Sequence, residues 1–334
     1  MPVEEARVYV EEALGFARQA GNRRHEALLI AGYGRIVAAS GSADDYVKLV
    51  QEALAVADMQ SSPEATLLLT GLLCQAYVLS GFVGEALSAN TAALKLIDEK
   101  TQGNGDVVLG LSVGQMVGFD VPFWIKCLRV RSLVMLGRFA EADEWLARLS
   151  QNDPPSGEPL HQGIPHFFAV ELAWFRDDTN SAMRHANEVA HYAGQAANPY
   201  WSVLASFCRG KALSTGGDFE KADGSFREAL DTSRGSQAGL EFEARILATR
   251  ADNLDRAGDL RLAGEVAAEA ISVAQRKADR LAECLACLVA ARVSLGQAGS
   301  RQSEEAGDRT SRAKALIDLT GAAVFRPMMS RITN

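Results

Sequence analysis

The chain has few prolines, no excess of basic residues and no phosphate-loop motif to hold a nucleotide, and each absence narrows what it can be. Nine prolines among 334 residues, set against abundant alanine and leucine, point to helix rather than sheet. A formal net charge of −8 and a pI of about 5.3 give no electrostatic grip on nucleic acid or anionic lipid. Five cysteines, an odd number and scattered, do not form a disulfide framework and point to a reducing, cytoplasmic compartment. The N-terminal "MPVEEARVYVEEAL" is acidic where a secretory signal is basic, and it lacks an apolar core. No GxxxxGK[ST] phosphate loop occurs. With 48% hydrophobic residues the chain can still build a sizeable core.

What is present is a repeat. An apolar helix, a short turn and a second helix with a small residue near its start recur as "AASGSADDYVKLVQEAL", "VLSGFVGEALSANTAAL", "VMLGRFAEADEWLARL", "WFRDDTNSAMRHANEV", "STGGDFEKADGSFREAL" and "DRAGDLRLAGEVAAEAI". The turns fall at Gly41, Gly81, Gly137, Asp177, Gly217 and Gly258, with a weaker seventh at Gly296, so that the period is near 40 residues. Turn glycines supply the backbone freedom to reverse direction, and Ala86, Ala142, Ala222 and Ala263 allow the second helix of each hairpin to cross the first closely. The second step is 16 residues longer than the period, and the excess falls on "GNGDVVLGLSVGQMVGFD". That glycine-rich stretch reads as an insertion between hairpins, not as a nucleotide loop, since no strand precedes it and its glycines match neither fingerprint.

The expected organisation is a single solenoid over 1–334: N-terminal repeats over 1–100, the insertion over 101–120, a third hairpin over 121–150, a proline-rich linker over 151–165 and C-terminal repeats over 166–334. Residues 4–20 read as a lone second helix, so the chain starts in mid-repeat, as a piece of something longer would. The polar "GSRQSEEAGDRTS" reads as weakly structured ahead of a last helix "RAKALIDLTG". The uncharged run from Ala65 to Gly84 has the length of a membrane span. It carries Thr66, Thr70, Gln75 and a Ser80-Gly81 turn, and it occupies a repeat position, so it is read as a hairpin helix.

The turn glycine, the alanine five residues later and Tyr77 four before Gly81 resemble the tetratricopeptide-repeat superfamily in its longer-period form. The resemblance implies an all-α, right-handed superhelical solenoid of helical hairpins. "VGFDVPFWIKCLRVRSLVMLGRFAEADEWL" and "AKALIDLTGAAVFRPMM" are similar to the C-terminal repeat region of bacterial proteins that carry a class III nucleotide cyclase domain and an AAA-type ATPase upstream. Related repeats follow the ATPase of maltose-regulator-type activators. Neither catalytic module lies in this chain, so no enzymatic activity carries over.

The remaining chemistry is sparse. Cys284 and Cys287 form a C-x-x-C within a helical stretch with no second pair, and with Cys74, Cys127 and Cys208 they read as buried core. His25, His161, His166, His185 and His191 include no i, i+4 pair of the zinc-enzyme type, and no metal or cofactor is assigned. One constellation stands out: six residues before each turn, in otherwise apolar first helices, come Arg35, Gln75, Arg131, Glu171, Lys211 and Asp252. In a tetratricopeptide superhelix first helices line the concave groove, so the resemblance places this column, with Phe167, Trp174 and Phe207, on a ligand channel. The expected function is non-catalytic: a protein-interaction or sensor domain of a bacterial signalling protein that receives a protein segment or partner domain in its groove. The alternative is a small-molecule effector domain of an activator, with a closed pocket.

Overall fold

Helix capping sets the architecture. The computed structural model describes residues 3–57, 63–101, 120–151, 159–296 and 300–333. Most described helix entries carry a short polar cap: the side chains of Asn22, Ser42, Asp120, Asp178, Asn198, Asp218, Asp259 and Asp279 each accept from a backbone N–H two or three residues on. Immediately before several of these caps the chain takes a left-handed residue. Asp177, Gly217, Gly258 and Ala278 have φ of 53°, 82°, 85° and 54°. The following N–H then reaches back to the preceding helix, as in Asp178 N–H to Ala173 O and Asp218 N–H to Leu213 O.

The described helices pack as seven hairpins: α2 (Arg23–Ser40) with α3 (Ala43–Val56), α4 (Pro63–Ser80) with α5 (Val83–Thr101), α6 (Val121–Met135) with α7 (Phe139–Gln151), α8 (Pro159–Phe175) with α9 (Thr179–Ala196), α10 (Pro199–Thr215) with α11 (Phe219–Ser236), α12 (Glu243–Ala257) with α13 (Leu260–Lys277), and α14 (Arg280–Gly296) with α15 (Ser300–Thr320). A leading helix, α1 (Val3–Gln19), packs on α2, and α16 (Arg326–Thr333) follows a 3₁₀ turn at Ala323–Phe325. No strand occurs among the described residues. The fold is an all-α solenoid.

Crossing residues are matched in volume. Ala86, Ala142, Ala182, Ala222 and Ala263 are fully buried at their crossings. In the first hairpin the corresponding residue is Tyr46, also fully buried, and the space is recovered by Gly34, where an added Cβ would come 2.7 Å from the Tyr46 ring. The same exchange pairs Phe226 with Gly210. The uncharged run is α4, one of these hairpin helices, and no described helix is long and apolar enough to cross a membrane.

Four local expectations change. Gly41 has φ −120°, so the first turn does not use glycine's left-handed freedom. The proline-rich stretch is helical from Pro159 onward, because prolines suit the first turn, where amides lack intrahelical partners, and α8 also accommodates a buried Pro165. The polar stretch after Gly296 belongs to α15, whose Ala306, Ala313, Leu316 and Ile317 form a buried helical face, while Arg312 holds Glu283 of α14 at 2.8 and 2.9 Å. Gly296 itself ends α14. Residues 102–119 of the insertion lie outside the described residues.

Gly210→Ala would drive a Cβ to 2.5 Å from the Phe226 ring, whereas the Cβ of Gly224→Ala meets nothing within 4 Å. In thermal denaturation the first substitution is expected to destabilise by about 1–3 kcal/mol, and the second to leave stability unchanged or raise it. Equal effects would contradict this packing register.

Candidate concave binding site

The polar column forms a contiguous structure, and most of it is sealed. Arg131, Glu171 and Lys211, one repeat apart on α6, α8 and α10, alternate in charge: Arg131 Nε lies 3.4 Å from Glu171 Oε2, and Lys211 Nζ lies 3.6 Å from Glu171 Oε1. All three are buried. Burial, reinforced by the nearby Arg245, pushes Arg131 down to about 10, and burial also lowers Lys211. Burial alone would favour the neutral form of Glu171, but Arg131 and Lys211 outweigh it and hold the carboxyl below its usual range. Lys211 also sits over the rings of Phe207 and Trp174, at 4.5 and 5.3 Å from their centroids.

The ends of the column differ. Asp252 is buried against Arg292, which also holds Asp255 at 2.7 Å. Gln75 Oε1 accepts from Tyr46 Oη at 3.1 Å. Arg35 is exposed, and its charge acts on Tyr200 and Glu241. Phe167 and Phe207 are buried and 6.5 Å apart, with Phe242 beside Phe167 at 5.6 Å, so these two rings pack repeat to repeat.

The column is sealed because the solenoid curls until its two halves meet. Lys277 Nζ donates to Ala39 O and Leu240 O, both at 3.0 Å. Arg245, paired with Asp279 at 2.7 Å, donates to Val78 O and Leu79 O. Arg280 grips Asp44 through two bonds of 2.7 and 2.8 Å, donates to Ser80 O and stacks on Phe82 at 4.4 Å. Gly81 matters here for a second reason: a Cβ at this position would lie 3.1 Å from Arg280 Cβ. None of the three cations belongs to the column. Arg245 had a faint local signal, since it precedes Asp252 by seven residues on the same face of α12; Lys277 and Arg280 had none.

Among the described residues, two cavities lie on the concave side. A lumen of about 30 Å³ is lined by Arg131, Glu171, Lys211, Arg245 and the rings of Trp174 and Phe325. A mouth of about 500 Å³ lies between Phe139, Trp174, Phe175, Asp252, Arg256 and the C-terminal residues Val324 and Met328. Trp174 borders both.

On the outer side, between α7, α8 and α9, His166 Nδ1 and His185 Nδ1 are 2.8 Å apart. Arg184, a donor only, lies 3.3 Å from His185 Nε2, so that nitrogen accepts and His185 Nδ1–H donates to His166. Both rings are therefore neutral. Burial, aided by His166 and Arg184, pushes His185 down to about 4, and burial lowers His166 against the opposing pull of Glu188. The five cysteines are buried free thiols raised by burial, as core residues would be. Among the described residues no cluster of three or more His, Cys, Asp or Glu could hold a metal.

No protein-family model matches the chain, and no curated protein sequence does. Among solved structures it is similar to a Rap protein crystallised in complex with competence and sporulation factor, with a TM-score of 0.56 and 12% identity over 99% of this chain and 98% of that one. At that identity the likeness concerns the fold alone, an all-α solenoid of helical hairpins.

Two measurements test this geometry. In urea denaturation, Arg280→Ala and Asp44→Ala should each destabilise, with a double-mutant coupling of about 1.5–3 kcal/mol; a coupling near zero would mean that the contact does not hold the halves together. For the histidines, a folded-state value below the unfolded one, about 6.5, means that the contribution is complete above that pH and is lost as pH falls towards 4. The drop in urea midpoint between pH 7.5 and pH 5 should shrink in the His166→Phe/His185→Phe variant; an identical drop would exclude the pair as its source.

Proposed function

We propose that this chain is a non-catalytic protein-interaction or sensor module of a bacterial signalling or regulatory protein, and that it receives a protein segment or a partner domain on its concave side. The observation that carries this reading is the mouth of about 500 Å³, walled by Phe139, Trp174 and Phe175 and edged by Asp177, Asp252, Arg256 and Arg292. Aromatic walls with charged edges suit a segment that buries one or two side chains and aligns through its polar groups. The similar Rap protein was crystallised with a factor bound, which supports a binding role for such a fold. The resemblance of 117–146 and 313–329 to repeats that follow cyclase and ATPase modules supports placing the chain in a cytoplasmic multidomain regulator.

A second reading has its own support. The clasp that draws hairpins 1 and 2 against hairpins 6 and 7 encloses the concave side, as a small-molecule effector domain of a maltose-regulator-type activator would require. In that case one small molecule would raise the melting temperature in step with its concentration.

The test is affinity capture from a lysate of the source organism with three full-length baits: the wild type, Phe139→Ala/Phe175→Ala at the mouth, and Arg209→Ala/Glu228→Ala on an exposed face. The mouth variant should lose a wild-type partner at least about tenfold, equivalent to about 1.4 kcal/mol, while the exposed-face variant retains it. Capture that survives the mouth variant and fails with the other would move the interaction to the outer surface.

A further inference from the structure

The lumen beneath the mouth gathers more buried cations than anions along its wall. Five buried ionisable groups cluster there: Arg131, Lys211 and Arg245 against Glu171 and Asp279, three cations to two anions. Three N–H donors in this cluster make no hydrogen bond: Arg245 Nη1 and Trp174 Nε1 have no partner, and Arg131 Nε meets Glu171 Oε2 only as an ion pair at 3.4 Å, outside hydrogen-bond geometry. Each belongs to a residue at least nine-tenths buried that lines the lumen. Leaving N–H donors buried without a hydrogen bond is costly, and what would satisfy them best beside these cations is an acceptor bearing negative charge.

The lumen is covered by the end of this same chain. After Gly321, at φ 72°, the backbone turns back over the concave side, and Ala322, Val324 and Phe325 are buried. Phe325 meets the Phe175 ring edge-on at 5.7 Å and lines the lumen; Val324, Pro327 and Met328 line the mouth. Beyond Phe325 the segment is shallowly seated, with Arg326, Pro327, Ser330 and Arg331 exposed. Phe325 supplies apolar contact but no acceptor for the three donors.

We propose that the concave surface beneath residues 322–332 is a site for an acidic protein segment, which displaces this cover, sets a carboxylate among Arg131, Lys211 and Arg245 and fills the wall of Trp174 and Phe175 with an aromatic side chain. The proposal rests on the protein-segment reading and names the chemistry of the segment. A carboxylate balances the third cation and accepts from the orphaned donors, and the aromatic side chain takes over the contact that Phe325 makes with Phe175.

The test uses the full chain, with phenylacetate as a probe that joins an aromatic ring to a carboxylate and phenylacetamide as its neutral counterpart. The readout is the indole N–H resonance of Trp174, assigned through Trp174→Phe. Phenylacetate should shift it saturably and bind at least about tenfold more tightly than phenylacetamide, as expected for loss of about 1.4 kcal/mol of charge-assisted bonding. Phe325→Ala, which loosens the cover, should bind more tightly than the wild type. A Gly137→Cys/Ala323→Cys pair tests the cover itself: a Cβ at position 137 would lie 3.8 Å from Ala323 Cβ, within disulfide range. Oxidised, this variant should lose the response, and reductant should restore it.

Equal binding of amide and carboxylate, no saturable shift in either the wild type or Phe325→Ala, or an unimpaired response in the oxidised variant would each overturn the proposal. If that happens while the mouth variant still loses its captured partner, the segment-binding reading stands and only the acidic class is removed. If capture too is indifferent to the mouth, both fall.

Discussion

Three cations reaching across the solenoid, Arg245, Lys277 and Arg280, determine what its concave side is. Ala39, Val78, Leu79 and Ser80 lie in the last turns of α2 and α4, where helix carbonyls lack intrahelical partners and the helix dipole is negative. Guanidinium and ammonium groups from the far end of the chain meet this need, and Asp44, at the start of α3, adds a carboxylate. Without these contacts the repeats would form an open superhelix. With them, first helices that would face solvent face one another, and a row of charges that would line a groove becomes a buried chain of ion pairs.

That burial changes how the column can be probed. Removing Arg131 or Lys211 would leave Glu171 under-compensated in a dry environment, and breaking a buried pair in this way costs about 3–5 kcal/mol. Alanine substitutions there would report first on folding. The mouth offers a cleaner handle, because Phe139 and Phe175 are only partly buried and belong to no ion pair. The fold thus separates a rigid charged spine from a recessed surface open to a ligand, and the two meet at Trp174.

The hairpins were legible in the sequence because their causes are local. A left-handed residue before a capping aspartate, and an alanine at each close crossing, recur at a period short enough to see. The column was legible for the same reason, as a fixed distance from each turn. Its pairing was not, because the curl of the solenoid decides whether Arg131 faces water or Glu171. The clasp joins residues 166 to 238 positions apart, and no local pattern marks such contacts. The polarity of 300–312 concealed α15, whose buried face has only a few small and apolar residues, and the prolines before His166 hid a helix that begins with one of them.

Closure of the ring is the claim on which the sealed column, the lumen and the mouth all rest, and a distance measurement in solution tests it most directly. Spin labels at Lys48→Cys and Ser272→Cys would report on it, since both positions are exposed and lie on the two halves that the clasp joins. The five native thiols are buried and would not compete for label. The account predicts one narrow distance distribution, matching the closed ring, that broadens and lengthens in Arg280→Ala. A broad, long distribution in the wild type, unchanged by that substitution, would show an open superhelix and contradict the account.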